Sequence, residues 1–305
     1  MPVKSLKFRL TMPVKRLDDG TGETIRVLEV DGYNTPTFDM VLQNQEEEFR
    51  SIPTWKIKPG DIFICAYPKA GTHWLWEVTS MLVNQSADRV KLIKETSMLE
   101  GVSQKNFDNV VCPRVLNTHL PLRLLPKDTL KMNSKILFVQ RNPKDICVSY
   151  YNHHKKVLEY EYDGKFENYV NRFLEGHVDY GSWFDYTLEW EKVIKDNKGY
   201  PIHVMSYEDM KTDSIGEITK ISEFLGLKTD PTLIREIAEK CEFSNMKKEK
   251  DPLENSAEWK DGKPGMYRKG QIGDWKNWFT VAQNEHFDAI FAKKMKDSSF
   301  TYRFG

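Results

Sequence analysis

Apolar residues in this chain fall into two rhythms, short unbroken runs and stripes recurring every three or four positions, and the two alternate. "KPGDIFICAYPKAGTHW" opens with a turn at Pro59 and Gly60 and continues into an apolar run at Ile62 to Ala66. A glycine-bearing loop follows, then Leu75, Val78 and Leu82 at helical spacing. The pattern predicts strand, loop and helix. It returns in "KILFVQRNPKDICVSYYNHHKK", where Ile136 to Val139 reads as a parallel strand covered on both faces. Asn142 is a helix N-cap there, Pro143 suits the first helical position and Asp145 adds charge to the first turn, so Arg141 stands where strand becomes helix.

A third strand is expected at Ile202 to Met205. A helix follows it, capped by Ser214 with Glu217 three residues on, carrying Ile215, Ile218 and Leu225 and stopping near Gly226. Another starts at Asp230 and Pro231, with Leu233, Ile234, Ile237 and Cys241 as its stripe. Strands alternating with helices predict an α/β fold: a single domain with a central, mainly parallel sheet flanked by helices. Residues 1–55 are polar and mixed and read as a loosely held lead-in to a domain spanning 56–305. Residues 244–266 are charged and rich in breakers, the pattern of a long mobile loop or lid.

Composition narrows the function classes. At 305 residues and 39% hydrophobic content, the chain can bury one substantial core. Lys plus Arg and Asp plus Glu are both 45, so no global field draws in nucleic acid or an anionic membrane, and neither is expected as a partner. Any anion site must be local. No stretch approaches the roughly 18–20 apolar residues of a membrane helix, and the N-terminus lacks a signal-peptide core, so the expected location is cytoplasmic. Cys65, Cys112, Cys147 and Cys241 are widely separated, which suggests no zinc site or disulfide framework but small core residues in a reducing compartment.

Three stretches suggest anion binding. In "YPKAGTHWLWEV", Gly71 lets backbone N–H groups approach an anion, Lys69 supplies a point charge, and the following helix points its positive end at the ligand. This P-loop-like loop is not a Walker A motif, in which a lysine after the glycine precedes the Mg²⁺-binding hydroxyl; here the order is K-A-G-T. The second candidate is Arg141 with Ser149, two turns into the next helix. The third is "MYRKGQIGDW", where Arg268 and Lys269 adjoin Gly270.

Taken together, "YPKAGTHW", "NTHLP", "RNPKDICVSYY", "YEDM" and "RKGQIGDWKNWFT" resemble the cytosolic sulfotransferases, which use 3'-phosphoadenosine 5'-phosphosulfate (PAPS) as sulfuryl donor. The resemblance covers residues from about 55 to 300. It implies that Lys69, Ala70, Gly71, Thr72 and His73 hold the 5'-phosphosulfate, and that Arg141, Ser149, Arg268, Lys269 and Gly270 hold the 3'-phosphate. A nucleotide with phosphates at both ends needs two such clusters. The resemblance further places Trp74, Tyr207 and Phe243 at adenine-contacting positions, with Cys241 at a neighbouring nucleotide contact.

The same resemblance makes His119, in "NTHLP", the catalytic histidine, which takes a proton from the acceptor hydroxyl or amine. Lys69 then stabilises charge on the leaving phosphate oxygen of an in-line transfer. No Walker-type Mg²⁺ ligand set is present and no metal is expected. Two positions depart from the family. Asn117 stands where a lysine commonly helps stabilise the transferring sulfuryl group, and His73 where a hydroxyl residue usually contacts phosphate. If Asn117 is a simple loss, Asn117→Lys raises turnover; an unchanged or lower rate marks a site tuned around Asn.

The acceptor pocket is less legible. His153 and His154 hint at a more polar acceptor than a simple planar phenol, while Tyr180, Trp183 and Phe184 read equally as pocket or core. "KNWFTVAQNE", Lys276 to Glu285, matches the family's K-x-x-x-T-V-x-x-x-E dimerisation motif and implies a small homodimer interface. Two other readings stay open: a sulfotransferase-like protein that binds nucleotide with little transfer, and an ATP- and Mg²⁺-dependent small-molecule kinase.

Overall fold

The computed structural model describes residues 14–38, 44–197, 199–251 and 258–305. After β1 (Val14–Asp18), β2 (Thr24–Val30) and β3 (Tyr33–Thr35), its centre is a four-stranded parallel sheet of β4 (Ile62–Ala66), β5 (Val115–Thr118), β6 (Lys135–Gln140) and β7 (Ile202–Ser206), in the order β5-β4-β6-β7. All five residues of β4 are buried, as an unbroken apolar strand requires when helices cover both faces of the sheet. Register pairs Cys65 with Thr118, Ala66 with Val139 and Gln140 with Ser206. The strands therefore end level with one another, and the segments beginning at Tyr67, His119, Arg141 and Tyr207 all leave the same carboxyl edge. The chain runs from β4 to β5 on one side and then to β6 on the other, and that reversal opens a crevice above β4.

The opposite edge is pinned by a buried ion pair. Arg114 Nε donates to Asp61 Oδ1 at 2.8 Å, Arg114 Nη2 donates to Asp61 Oδ2, and the guanidinium lies over Phe107. Both residues directly precede the strands they fasten, so the pair holds β4 and β5 together where their loops diverge.

Four expectations change. Residues 14–35, read as a loose lead-in, form a three-stranded antiparallel sheet whose Ile25, Val27, Leu28 and Val30 enter the core. The expected loop over 244–266 contains the Phe243–Lys250 helix. Only Met246 and Lys250 of that helix are buried, so it has no apolar stripe to reveal it; residues 252–257 of the same stretch lie outside the described residues. Cys112 is exposed rather than a core residue. Asp213, not Ser214, caps the Ser214–Phe224 helix by accepting from Gly216 N. Asn142 does cap the Pro143–Lys156 helix, accepting from Lys144 N.

Candidate active site

Above the carboxyl edge lies a cavity of about 1600 Å³. That exceeds the roughly 300–1,000 Å³ of a typical single-ligand pocket, which leaves room for two molecules side by side. Lys69, Gly71, Thr72, His73, Trp74, His119, Arg141, Ser149, Tyr207, Cys241, Phe243, Arg268, Lys269 and Gly270 all line it. Ala70 and Asn117 do not; both lie buried behind its wall.

The first anion cluster is the loop between β4 and the Thr72–Asn84 helix. Lys69 and Gly71 both have positive φ, +67° and +111°, a backbone path that turns the chain sharply at the helix start. A Cβ on Gly71 would meet Tyr207 Cδ2 at 2.8 Å, so glycine is required by contact as well as by conformation. Lys69 Nζ lies 3.1 Å from Met266 Sδ.

Arg141 joins this loop to the second cluster. Its Nη1 donates to Lys69 O at 2.9 Å, its Nη2 reaches Gln271 O at 3.5 Å, and its guanidinium stacks 4.1 Å over Tyr207. Arg268 and Lys269 donate to the two oxygens of Asp274, at 2.6 and 2.7 Å. Burial alone would raise the Asp274 carboxyl, but Lys269 and Arg268 hold it at about 2. Gly270, at φ +63°, packs so tightly that a Cβ would sit 2.1 Å from Phe243 Cδ2. Trp74 Nε1 donates to Cys241 O at 2.7 Å, fixing the indole along the same wall.

His119 follows β5 directly. Its Nδ1 lies 2.7 Å from Ala66 O, and a carbonyl only accepts, so Nδ1 carries the proton and Nε2 keeps a lone pair. Burial, then the charge of Lys94, lowers its pKa well below the ordinary histidine value, so the ring is a neutral base at physiological pH. Glu100 fixes the turn: Oε1 accepts from His119 N and Oε2 from Thr118 Oγ1, both at 2.7 Å.

Sequence reasoning did not anticipate Lys94, Glu95, Glu100 or Asp274. The first three lie in a stretch without periodicity that meets β5 through a bridge between Met98 and Asn117. Lys94 is buried, with Nζ 3.3 Å from Asn117 Oδ1 and 3.1 Å from Glu95 Oε1. Asn117 Nδ2 donates to Lys94 O at 2.8 Å and to Ser97 Oγ at 3.2 Å. His73 Nε2 lies 3.1 Å from Glu95 Oε1, and burial lowers its pKa to about 4 against the pull of Glu95. The one available signal was Asp274, six residues after Arg268 inside the same motif.

On the acceptor side, His153 and Tyr180 line the cavity, and Tyr180 packs edge-on to His119 with ring centroids 5.3 Å apart. His154 is buried behind them, bonded to Asp179 at 2.6 Å and Tyr169 at 2.7 Å. Trp183 and Phe184 are core residues that do not line the cavity.

A phosphate-type loop, a second cation cluster and a neutral histidine over one parallel sheet define a nucleotide-dependent group-transfer enzyme. The sulfotransferase domain model matches residues 59–299. Mouse sulfotransferase 1A1 is 37% identical over 273 residues, covering 84% of this chain and 91% of the relative. Human sulfotransferase 1C2 is 33% identical over 302 residues, covering 94% and 98%. The crystal structure of mouse sulfotransferase SULT7A1 complexed with PAP superposes with a TM-score of 0.72 at 29% identity, over 89% of this chain and 96% of that one. The chain belongs to the sulfotransferase family. It is a PAPS-dependent enzyme that transfers a sulfuryl group to a small-molecule acceptor.

Proposed function

We propose that His119 is the general base of this transfer, that the loop from Lys69 to His73 holds the 5'-phosphosulfate, and that Arg141, Ser149, Arg268, Lys269 and Gly270 hold the 3'-phosphate. The observation that carries the reading is the Nδ1 contact of His119 with Ala66 O, which sets the base nitrogen beside the Lys69 loop. The acceptor hydroxyl or amine gives its proton to His119 Nε2 as its oxygen or nitrogen bonds to sulfur. The sulfur–oxygen bond to the 5'-phosphate breaks, and Lys69 with nearby backbone N–H groups meets the charge left on that oxygen. The fit is steric as well as electrostatic, since Gly71 and Gly270 stand where any side chain would displace the rings behind them.

The acceptor carries a second hydrogen-bonding group. His153 Nδ1 and Tyr180 Oη are buried with no hydrogen-bond partner among the described residues, and both residues line the cavity with His119. An acceptor that satisfies them avoids a cost of about 1–3 kcal/mol per unpaired group, which a bare phenol leaves in place. Residues 56–305 form the catalytic domain in this reading, and the sheet of residues 14–35 packs into its core. The cytosol fits the free thiols of Cys65, Cys112, Cys147 and Cys241. Among the described residues no helix is long and apolar enough to cross a membrane.

Homodimerisation through Lys276 to Glu285 is supported by Val281, at the centre of that segment and 76% exposed. Val281→Glu should then give the monomer mass in light scattering where the parent gives a dimer; a parent mass of one chain at all concentrations overturns the dimer. The functional reading is tested by a thermal shift with 3'-phosphoadenosine 5'-phosphate (PAP) and, separately, ATP with Mg²⁺. A shift with PAP alone, plus radiolabel transfer from PAPS to an acceptor panel, is expected. A shift with ATP and Mg²⁺ alone favours the kinase, and PAP binding without transfer favours a nucleotide-binding protein.

A further inference from the structure

We propose that Lys94 supplies the positive charge for the transferring sulfuryl group that the family commonly carries at position 117. The inference rests on the reading of His119 and Lys69 given above. Asn117 is fully buried, and its amide is consumed within the protein, Nδ2 donating to Lys94 O and Ser97 Oγ while Oδ1 faces the Lys94 ammonium at 3.3 Å. It has nothing left to offer a substrate. Lys94 stands directly beside it, is 3% exposed, and lines the cavity together with His73 and His119.

Burying an ammonium is costly unless something holds it, and here the hold is incomplete. Asn117 Oδ1 takes one hydrogen bond, Glu95 lies at 3.1 Å, and the remaining neighbour is Met98 Sδ at 3.8 Å, a weak acceptor. The groups in contact with Lys94 are Glu95 on its own segment, Asn117 on β5 and Met98; its charge also acts on His73, His119, His153 and Glu100. Through Asn117 the ammonium is tied to the strand end two residues before His119, and through Glu95 Oε1, which Lys94 Nζ and His73 Nε2 each approach at 3.1 Å, to the start of the phosphosulfate loop's helix. A cation there offsets the negative charge that moves from acceptor to leaving group, and in the resting enzyme it adds to the burial that keeps His119 neutral. The Asn117 side chain then serves as the bracket for the lysine that took over its family role.

The test compares the full-length parent, Lys94→Met, Lys94→Arg and the double variant Lys94→Met/Asn117→Lys. Each is assayed with PAPS and three probes: 4-nitrophenol, a primary alcohol and a primary amine. Lys94→Met should lower kcat about 100-fold or more, with KM for PAPS changed less than about threefold, and the double variant should recover most of that loss. In parallel, the His119 ring titration followed by NMR should move upward in Lys94→Met and return in the double variant, because removing a nearby cation favours imidazolium. A folding defect appears as a changed unfolding midpoint and is separated by Lys94→Arg, which keeps the charge.

A Lys94→Met enzyme with parental kcat and a raised KM for acceptor only would overturn the inference and make Lys94 an acceptor clamp. An unmoved His119 titration overturns it as well. Failure of the parent on all three probes counts against the proposed function instead, and leaves the His119 titration to decide the role of Lys94.

Discussion

Installing the family's lysine at position 117 tests the packing of this site directly, because the structure predicts that Asn117→Lys alone does harm. The new ammonium has no empty space to enter: Lys94 Nζ already lies 3.3 Å from the Asn117 amide oxygen. Two unit charges at about 4 Å repel by roughly 4 kcal/mol at an effective dielectric of about 20. The substitution also removes the Asn117 donations to Lys94 O and Ser97 Oγ, each worth about 1 kcal/mol. Glu95, 3.1 Å from the Lys94 ammonium, offsets part of the repulsion. With the lost Oδ1 acceptor of Lys94 included, the net expectation is a loss of about 4–6 kcal/mol at pH 7.

Asn117→Met isolates the charge. It matches the bulk of lysine and loses the same two donations and the Oδ1 acceptor of Lys94, so its cost should be about 3 kcal/mol. The remainder belongs to repulsion and must depend on pH. A pair of crowded ammoniums binds protons less readily folded than unfolded, so the stability of Asn117→Lys should recover as pH rises and one proton leaves. Urea unfolding of both variants at pH 7 and pH 10 measures this. Equal losses in the two variants, or a pH-independent loss in Asn117→Lys, would show that Lys94 does not press on position 117.

Three further outcomes are expected. The acid limb of kcat/KM should lie well below pH 6.5, because burial and the charge of Lys94 hold His119 neutral; a limb centred at 6.5 or above removes His119 as the buried base. Gly270→Ala should weaken PAP binding about tenfold or more in calorimetry, since its Cβ must displace Phe243 from a distance of 2.1 Å at a positive-φ position, and parental affinity would contradict that packing. Arg114→Leu strands Asp61 in the core and should cost about 3–5 kcal/mol in urea unfolding with little change in KM for PAPS; a loss under about 1 kcal/mol would mean that the pair is not buried as described.

What could be read in advance follows from how local each signal is. β4 and β6 carry continuous apolar runs, β7 a weaker one interrupted by His203, and β4 begins and ends at the residues its sequence indicates. The loops leaving β4 and β6 carry Lys69 and Arg141 within a few residues of the strand end, so these cations were legible with the fold, whereas Arg268 and Lys269 were legible only as a motif. β5 is only "VLNT", with two polar residues and no period, and it is a strand because β4 pairs with it. The N-terminal strands needed their partners in the same way. Lys94 and Glu100 were invisible for a related reason: no motif surrounds them, and they reach His119 through the Met98–Asn117 bridge and side-chain hydrogen bonds to β5.

The cations of the second cluster differ in what they have left to give. Arg268 and Lys269 already share the Asp274 carboxylate, so a phosphate must compete with or bridge an existing ion pair, and Lys269 is 44% exposed, where salt screens it. Arg141 has only backbone carbonyls and the Tyr207 ring as recorded partners and makes no ion pair among the described residues, while being 9% exposed. A charge-assisted bond from a poorly hydrated guanidinium is worth about twice a neutral one, and most of its surface is already buried before the ligand arrives. On the proposed assignment, Arg141 should contribute more to nucleotide binding than the exposed lysine of its own cluster. Arg141→Ala should raise Kd for PAP about 100-fold and Lys269→Ala less than about 10-fold, with only the second effect shrinking at high salt. The reverse order would mean that Asp274 releases its partners readily and that the C-terminal loop, not the strand end, anchors the 3'-phosphate.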